Sequence, residues 1–261
     1  MQRPAKEDGI FKPIVIDGVV VRGKQFLQTL GQVLKLEWLN SKSIEIRSLL
    51  FERIIPNFAC RAVENNDFIS LRTLLSKMEA SCETYDKFTA LHTACELGNI
   101  EMIQFLLSMG ASPHPLNRFG NCPMYMAIKN RRCHAVKFLR MRGITVKLHP
   151  VRIAMEVIQA VQNRDYPLLN AWFLSGVDMD TQDYNGRTVM HEAVHLGDIS
   201  MISRLLEYGA TPLERDAWGQ TAMDNAQNDR TIMALFEPLF TVCCPTKQAY
   251  RLIKAKHSDT K

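Results

Sequence analysis

Small residues recur in this chain at a fixed step. Ala94, Ala127, Ala160, Ala193 and Ala226 stand 33 positions apart, and Gly110, Gly143, Gly176 and Gly209 keep the same step. Two small-residue columns held in phase over four or five copies mean that one supersecondary unit is repeated and stacked. Stacked units form one continuous core cut into layers, so the usual count of domains from length does not apply. Such a chain presents an extended surface and carries out no chemistry of its own.

The second copy is the clearest. It runs Thr89-Ala90-Leu91-His92, then Ala94, Gly98-Asn99, an apolar helix from Ile100 to Met109, and Gly110-Ala111. Each residue type has a physical task. Thr89 caps the first helix, and its hydroxyl reaches the histidine of the motif and ties down the turn. Ala94 lets adjacent copies approach closely. Gly98 ends the first helix in a left-handed conformation, as Asn66 does in the first copy. Leu106 and Leu107 fill the layer between copies, and Gly110 releases the chain into a projecting loop.

These residues resemble ankyrin repeats, which carry Thr-Pro-Leu-His where this chain has Thr89-Ala90-Leu91-His92. The resemblance covers about 57–239. It implies an all-α solenoid of five to six helix-turn-helix repeats with short projecting fingers and an N-terminal helical cap. The chain then divides into a lead-in and cap (1–56), the repeats (57–239) and a basic tail (240–261). Repeat one is partial, with helices at Asn57–Glu64 and Asp67–Lys77. Repeat three keeps Gly120, Pro123, Ala127 and Gly143 but has Cys122 for the threonine and Tyr125 for the histidine. Repeat four is degenerate. Met155 replaces its threonine, it lacks the finger glycine, and Pro150 predicts an altered finger, while Ala160, Trp172, Phe173 and Gly176 hold the frame. Repeat five restores the pattern from Asp183 to His191. Repeat six begins Asp216-Ala217-Trp218-Gly219-Gln220-Thr221 and is short, as a capping repeat should be.

Ahead of the repeats, Ile14-Val15-Ile16 is read as part of an irregular lead-in closed by a turn at Asp17-Gly18. Helical spacing follows from Gln25 (Phe26, Leu27, Leu30, Val33, Leu34) and from Ser41 to Arg53, with Pro56 as the break. Gln248 to Lys256 is read as a basic helix. The stretches Gly23-Lys24-Gln25-Phe26-Leu27 to Leu34 and Ser43 to Ile55, then Phe58-Ala59-Cys60-Arg61-Ala62, resemble the end of animal L-asparaginases, also called lysophospholipases, where the catalytic unit meets an ankyrin tail. That family's catalysis depends on two threonines in Gly-rich loops. This chain has no Gly-Gly pair, and its Asp17-Gly18 is followed by Val19. The resemblance therefore carries no catalytic residue here. It implies the regulatory or vestigial ankyrin end of an asparaginase-like amidohydrolase.

Composition narrows the class. Hydrophobic residues make up 46% of 261, which excludes wholesale disorder. No apolar run approaches the ~18 residues of a membrane helix, and the first residues hold no signal-peptide core. Seven cysteines without a framework point to a reducing compartment, the cytosol, with Cys60 and Cys95 as buried helical thiols. The net charge of +5 is uneven: Arg118 to His149 holds eight Lys/Arg and no acid, while Asp183 to Asp216 holds six acids against three bases. This asymmetry either balances neighbours in the stack or steers an acidic partner.

One sequence matches a catalytic signature. His191-Glu192-Ala193-Val194-His195 reads His-Glu-x-x-His, which on a helix offers two imidazoles and a general base to zinc. Here His191 is already the histidine of the repeat motif and Ala193 belongs to the alanine column. The expectation is a capping His191 beside a surface His195, with no metal and no cofactor; His92 is read as a turn histidine in the same way. Cys243-Cys244 carries no surrounding acylation pattern. Arg131-Arg132, with Lys129 and Lys137, could meet phosphates, but the basic run stays within one repeat, so nucleic acid is not expected. The finger tips and inner helices form the concave binding side of such a stack. A protein partner is expected there, met by Tyr85, Phe119, Tyr184, Arg187 and Trp218, with Arg131 and Arg132 adding charge. Asp86, Arg118 and Asn185 sit beside them. Aromatic residues and arginine are the favoured anchors of interfaces.

Overall fold

The computed structural model describes residues 14–16, 19–21, 55–76 and 79–236. The helices expected from Gln25 to Arg53 and from Gln248 to Lys256, and the Cys243-Cys244 pair, lie outside these residues. Two compact units divide the chain, Met1–Met126 and Ala127–Lys261.

In the lead-in, β1 (Ile14–Ile16) pairs antiparallel with β2 (Val19–Val21), Val15 opposite Val20. The irregular lead-in read from sequence is corrected by this pair. Six β-branched residues flank Asp17-Gly18, the strongest short hairpin signal.

From residue 55 to 236 the described residues form a succession of six helix pairs. They are α1 (Ile55–Glu64) with α2 (Phe68–Leu75), α3 (Ala90–Leu97) with α4 (Ile100–Ser108), and α5 (Pro123–Lys129) with α6 (Cys133–Met141). Next come α7 (Pro150–Gln162) with α8 (Tyr166–Leu174), α9 (Val189–His195) with α10 (Ile199–Glu207), and α11 (Ala222–Asn225) with α12 (Arg230–Phe236). Pro56 stands in the first turn of α1, where its missing N–H costs nothing; the helix expected before it lies outside the described residues.

The alanine column is the close-packing line of the first helices. Ala94, Ala127, Ala160, Ala193 and Ala226 are each at most 1% exposed. Ala62 extends the column into repeat one, equally buried but at a shortened step. On the second helices two further columns are buried: Ile103, Val136, Leu169 and Ile202, and Leu106, Leu139, Trp172 and Leu205. Five of the six second helices, all but α12, follow a sharp turn. Asn66, Gly98, Arg131, Arg164 and Gly197 supply it in the left-handed region. The next residue caps the helix: carboxylate or amide oxygens of Asp67, Asn99, Asp165 and Asp198 accept from Ser70, Met102, Leu168 and Met201 N–H at 2.9 to 3.1 Å.

Repeat four departs from the register. α3, α5, α9 and α11 begin at Ala90, Pro123, Val189 and Ala222, whereas α7 begins at Pro150 instead of Glu156. His149 caps it, its Nδ1 accepting from Val151 N–H at 3.3 Å, and Pro150 fits the first helical position. The altered finger is thus an added stretch of helix.

Candidate interaction site on the finger loops

The loops between helix pairs are closed by one side chain at a fixed place. Asn117 Oδ1 accepts from Phe119 N–H at 2.9 Å and Asn121 N–H at 3.0 Å. Asp183 Oδ1 accepts from Asn185 at 2.8 Å and Arg187 at 2.9 Å. Asp216 Oδ1 accepts from Trp218 at 3.0 Å and Gln220 at 2.9 Å. Thr84 Oγ1 does the same for Phe88 at 3.1 Å. A short polar side chain that bonds its own backbone two to four residues on holds a tight turn closed. Thr84, Asn117, Asp183 and Asp216 share one register, and its fourth-repeat member is Pro150, which has no such group.

Neighbouring fingers are joined through backbone. In the first unit Arg118 N–H donates to Asp86 C=O at 2.9 Å, and in the second Ala217 N–H donates to Asn185 C=O at 2.8 Å. The second junction is tight at Gly186, where a Cβ would lie 3.0 Å from Ala217 N; Lys87 holds the same left-handed position in the first unit.

These tied loops carry the aromatic residues singled out from sequence. Tyr85 is 70% exposed and Phe119 67% in the first unit; Tyr184 is 81% and Trp218 69% in the second. The two pairs have the same internal spacing and flank equivalent finger junctions, so the chain builds one arrangement twice. The surroundings differ. Beside Tyr85, the Arg118 guanidinium lies 5.4 Å from the ring centroid and 3.5 Å from Asp86. Ala217 stands in its place in the second unit.

The arginines separate from the aromatics. Arg187 lies at a finger base, half-buried, its Nη1 3.6 Å from Glu192. Arg131 and Arg132 occupy the turn between α5 and α6, not a finger. Arg131 Nε donates to both Asp165 oxygens at 3.0 and 3.1 Å, with a further bond from Nη2. That hydrogen-bonded pairing holds the Asp165 carboxyl below the usual carboxylate range and raises the Arg131 guanidinium. One turn further, Arg164 pairs with Asp198 at 3.3 Å.

With this geometry in place, comparison with known proteins is direct. The sequence matches the family model described as ankyrin repeats (3 copies) at residues 59–149 and 157–237, more than half of the chain. The chain belongs to the ankyrin-repeat family. It is 29% identical to an L-asparaginase of Dirofilaria immitis over 188 residues, which is 72% of this chain but 32% of that protein. It is 26% identical over 141 residues to the human transient receptor potential cation channel subfamily A member 1, covering 53% of this chain and 12% of the channel. The chain thus spans about a third or less of these relatives. Among solved structures, the ankyrin repeat domain of Bcl-3 superposes with a TM-score of 0.53 at 22% identity, over 68% of this chain and 80% of that one. The ankyrin repeat protein EF0377 does so with 0.51 at 21%, over 69% and 96%. The all-α ankyrin-repeat fold read from the sequence is the fold of the described repeats.

Ankyrin architecture also decides the His-Glu-x-x-His match. His191 is buried: Thr188 N–H donates to its Nδ1 at 3.1 Å, and its Nε2 meets Gln220 C=O at 3.2 Å. Both ring nitrogens are engaged, and Glu192 is taken by Arg187 and by Gln162 at 3.0 Å. His195 is exposed on the same helix. His92 repeats the arrangement with Thr89 at 3.1 Å and Asn121 C=O at 3.0 Å, and burial pushes its imidazole below the ordinary value. In repeat six Asp224 replaces the histidine, its Oδ2 accepting from Thr221 N–H at 2.9 Å and Oγ1–H at 2.8 Å; those bonds lower its carboxyl. Among the described residues no three His, Cys, Asp or Glu side chains gather as a metal site, and no helix is long and apolar enough to cross a membrane. Cys95 is buried as expected, while Cys60 is only half-buried.

Proposed function

We propose that this chain is a non-catalytic protein-interaction module that grips its partner with the finger-loop aromatics Tyr85, Phe119, Tyr184 and Trp218. One observation carries the reading: a similar exposed aromatic pair is built twice, each time on loops closed by a Thr, Asn or Asp side chain and tied by a finger-to-finger backbone bond. Rings of this size left in water add nothing to the core, and loops held in one conformation lose little entropy on binding. Arg187, Arg131 and Arg132 act as secondary contacts in this reading, with Arg131 retained mainly by Asp165. No cofactor is used. The five described cysteines are all free, which suits a reducing compartment, and the reading places the chain in the cytosol.

The test is a paired affinity capture with quantitative mass spectrometry. The unsubstituted chain and a variant with all four aromatics changed to alanine are compared. A partner enriched on the first and lost on the second supports the reading; identical partner lists overturn it. A second reading, the regulatory or vestigial end of an asparaginase-like enzyme, is favoured by the 29% identity to the Dirofilaria immitis L-asparaginase. It is separated by measuring whether the chain binds an asparaginase catalytic unit and changes its rate of asparagine hydrolysis.

A further inference from the structure

The longest acid-free stretch of the chain, residues 102–155, contains nine Lys/Arg and no Asp or Glu. The structure sorts those cations into used and unused. Arg131 is held by Asp165. Arg140 Nη1 donates to Leu174 C=O at 3.3 Å and caps the end of α8, filling the space over Gly176. Lys137 and Arg142 are exposed and make no ion pair among the described residues. Arg142 is steadied by its guanidinium lying 4.7 Å from the Phe138 ring centroid. Between them stands Met141, 87% exposed. Lys137 and Met141 are one helical turn apart, so they share a face of α6. α8, which packs beside α6, carries no charged side chain, and its capping Asp165 is already taken. α8 thus offers no carboxylate of its own to this face.

Cations near a helix C-terminus are favourable with the helix dipole, which accounts for Arg142. It accounts neither for the unpaired Lys137 nor for a long apolar side chain left in water among charges. We infer that the outer face of α6, with Lys137, Met141 and Arg142 and the following Lys147, docks an acidic, amphipathic segment of a protein partner. Carboxylates would meet the cations and an apolar residue would cover Met141. A nucleic acid needs a sustained basic face, and Arg131 and Arg140 are already committed elsewhere. A lipid surface needs a continuous apolar stripe, and this face offers only exposed Met141 beside the half-buried Phe138 ring. The site is separate from the finger aromatics and does not depend on that reading.

The test uses the full chain and a fluorescent synthetic peptide of Glu and Asp with a single central Leu. Fluorescence anisotropy should show saturable binding that weakens about tenfold with Lys137→Glu. Met141→Ser should weaken it by about fivefold, and replacing the peptide's Leu by Gly should add nothing further in that variant. Raising the salt should weaken binding, since exposed charges are screened. Trp218→Ala should leave it unchanged. Binding that is indifferent to both α6 substitutions overturns the inference. So does displacement of the peptide from this face by a single-stranded oligonucleotide or phosphatidylserine vesicles at lower concentration than unlabelled peptide.

Discussion

Repeats four and five lie within one unit and reach the same helix pair by different means. In repeat five, Thr188 and His191 lock the start of α9, Asp183 closes the finger, and Gly186 admits the next finger. Repeat four has Met155, Ile158, Pro150 and Ile153 in those places, and none of these bonds can form. Yet Ala160 matches Ala193, Leu169 matches Ile202, and Trp172 matches Leu205, all buried. The apolar columns are enough to make the repeat. The polar positions decide what lies between repeats: a tied finger that displays Tyr184, or an extra stretch of helix.

The comparison breaks first at the columns. Trp172→Ala should cost about 3–5 kcal/mol in urea unfolding, because it removes a fully buried side chain and leaves a cavity. Gly176→Ala should come next. Its φ is +82°, and a Cβ would lie 2.9 Å from the Arg140 guanidinium, so about 1–2 kcal/mol of backbone strain is joined by loss of the α8 cap. Gly143→Ala, with φ +74° and open space around it, should show the strain alone. The difference in their urea midpoints measures the Arg140 contact.

Polar positions should show smaller effects. His191→Ala should cost about 1 kcal/mol through its lost bonds to Thr188 and Gln220, while exposed His195→Ala should change little. A metal-site role would instead make the two substitutions equivalent. In the first unit, His92 accepts at Nδ1 from Thr89 N–H, so a proton added there would face a donor. Burial depresses its folded-state value, so protons favour the unfolded chain. Its contribution is whole above the ordinary histidine pKa of about 6.5 and fades as pH falls below it. The fall in urea midpoint between pH 7.5 and 5.5 should shrink in His92→Gln; an unchanged fall would show that His92 is not its source.

What could be read from the sequence follows from these energies. Close packing demands a small residue at every step, so the alanine and glycine columns were plain, as was the altered finger at Pro150. Arg131 and Arg164 hid the helix-ending turn, because a left-handed arginine is the exception and its Asp partner lies in the next repeat. The acidic excess of repeat five reads as a surface in composition, but Asp183, Glu192, Asp198 and Asp216 are turn, cap and pairing groups. Finger aromatics were legible from their place in the repeat register, Phe119 and Trp218 directly before Gly120 and Gly219. Arg131 and Arg132 were grouped with them by charge, although they belong to a different turn.

The account rests on a proposed division of labour in which columns hold the fold and exposed finger aromatics bind the partner. Equilibrium urea unfolding of a Tyr184→Ala, Trp218→Ala double variant tests it most directly. Its midpoint should match the unsubstituted chain, within the ~0.5 kcal/mol of ordinary surface substitutions. A loss comparable to that of Trp172→Ala would show that the finger rings hold the stack together, and would contradict the account.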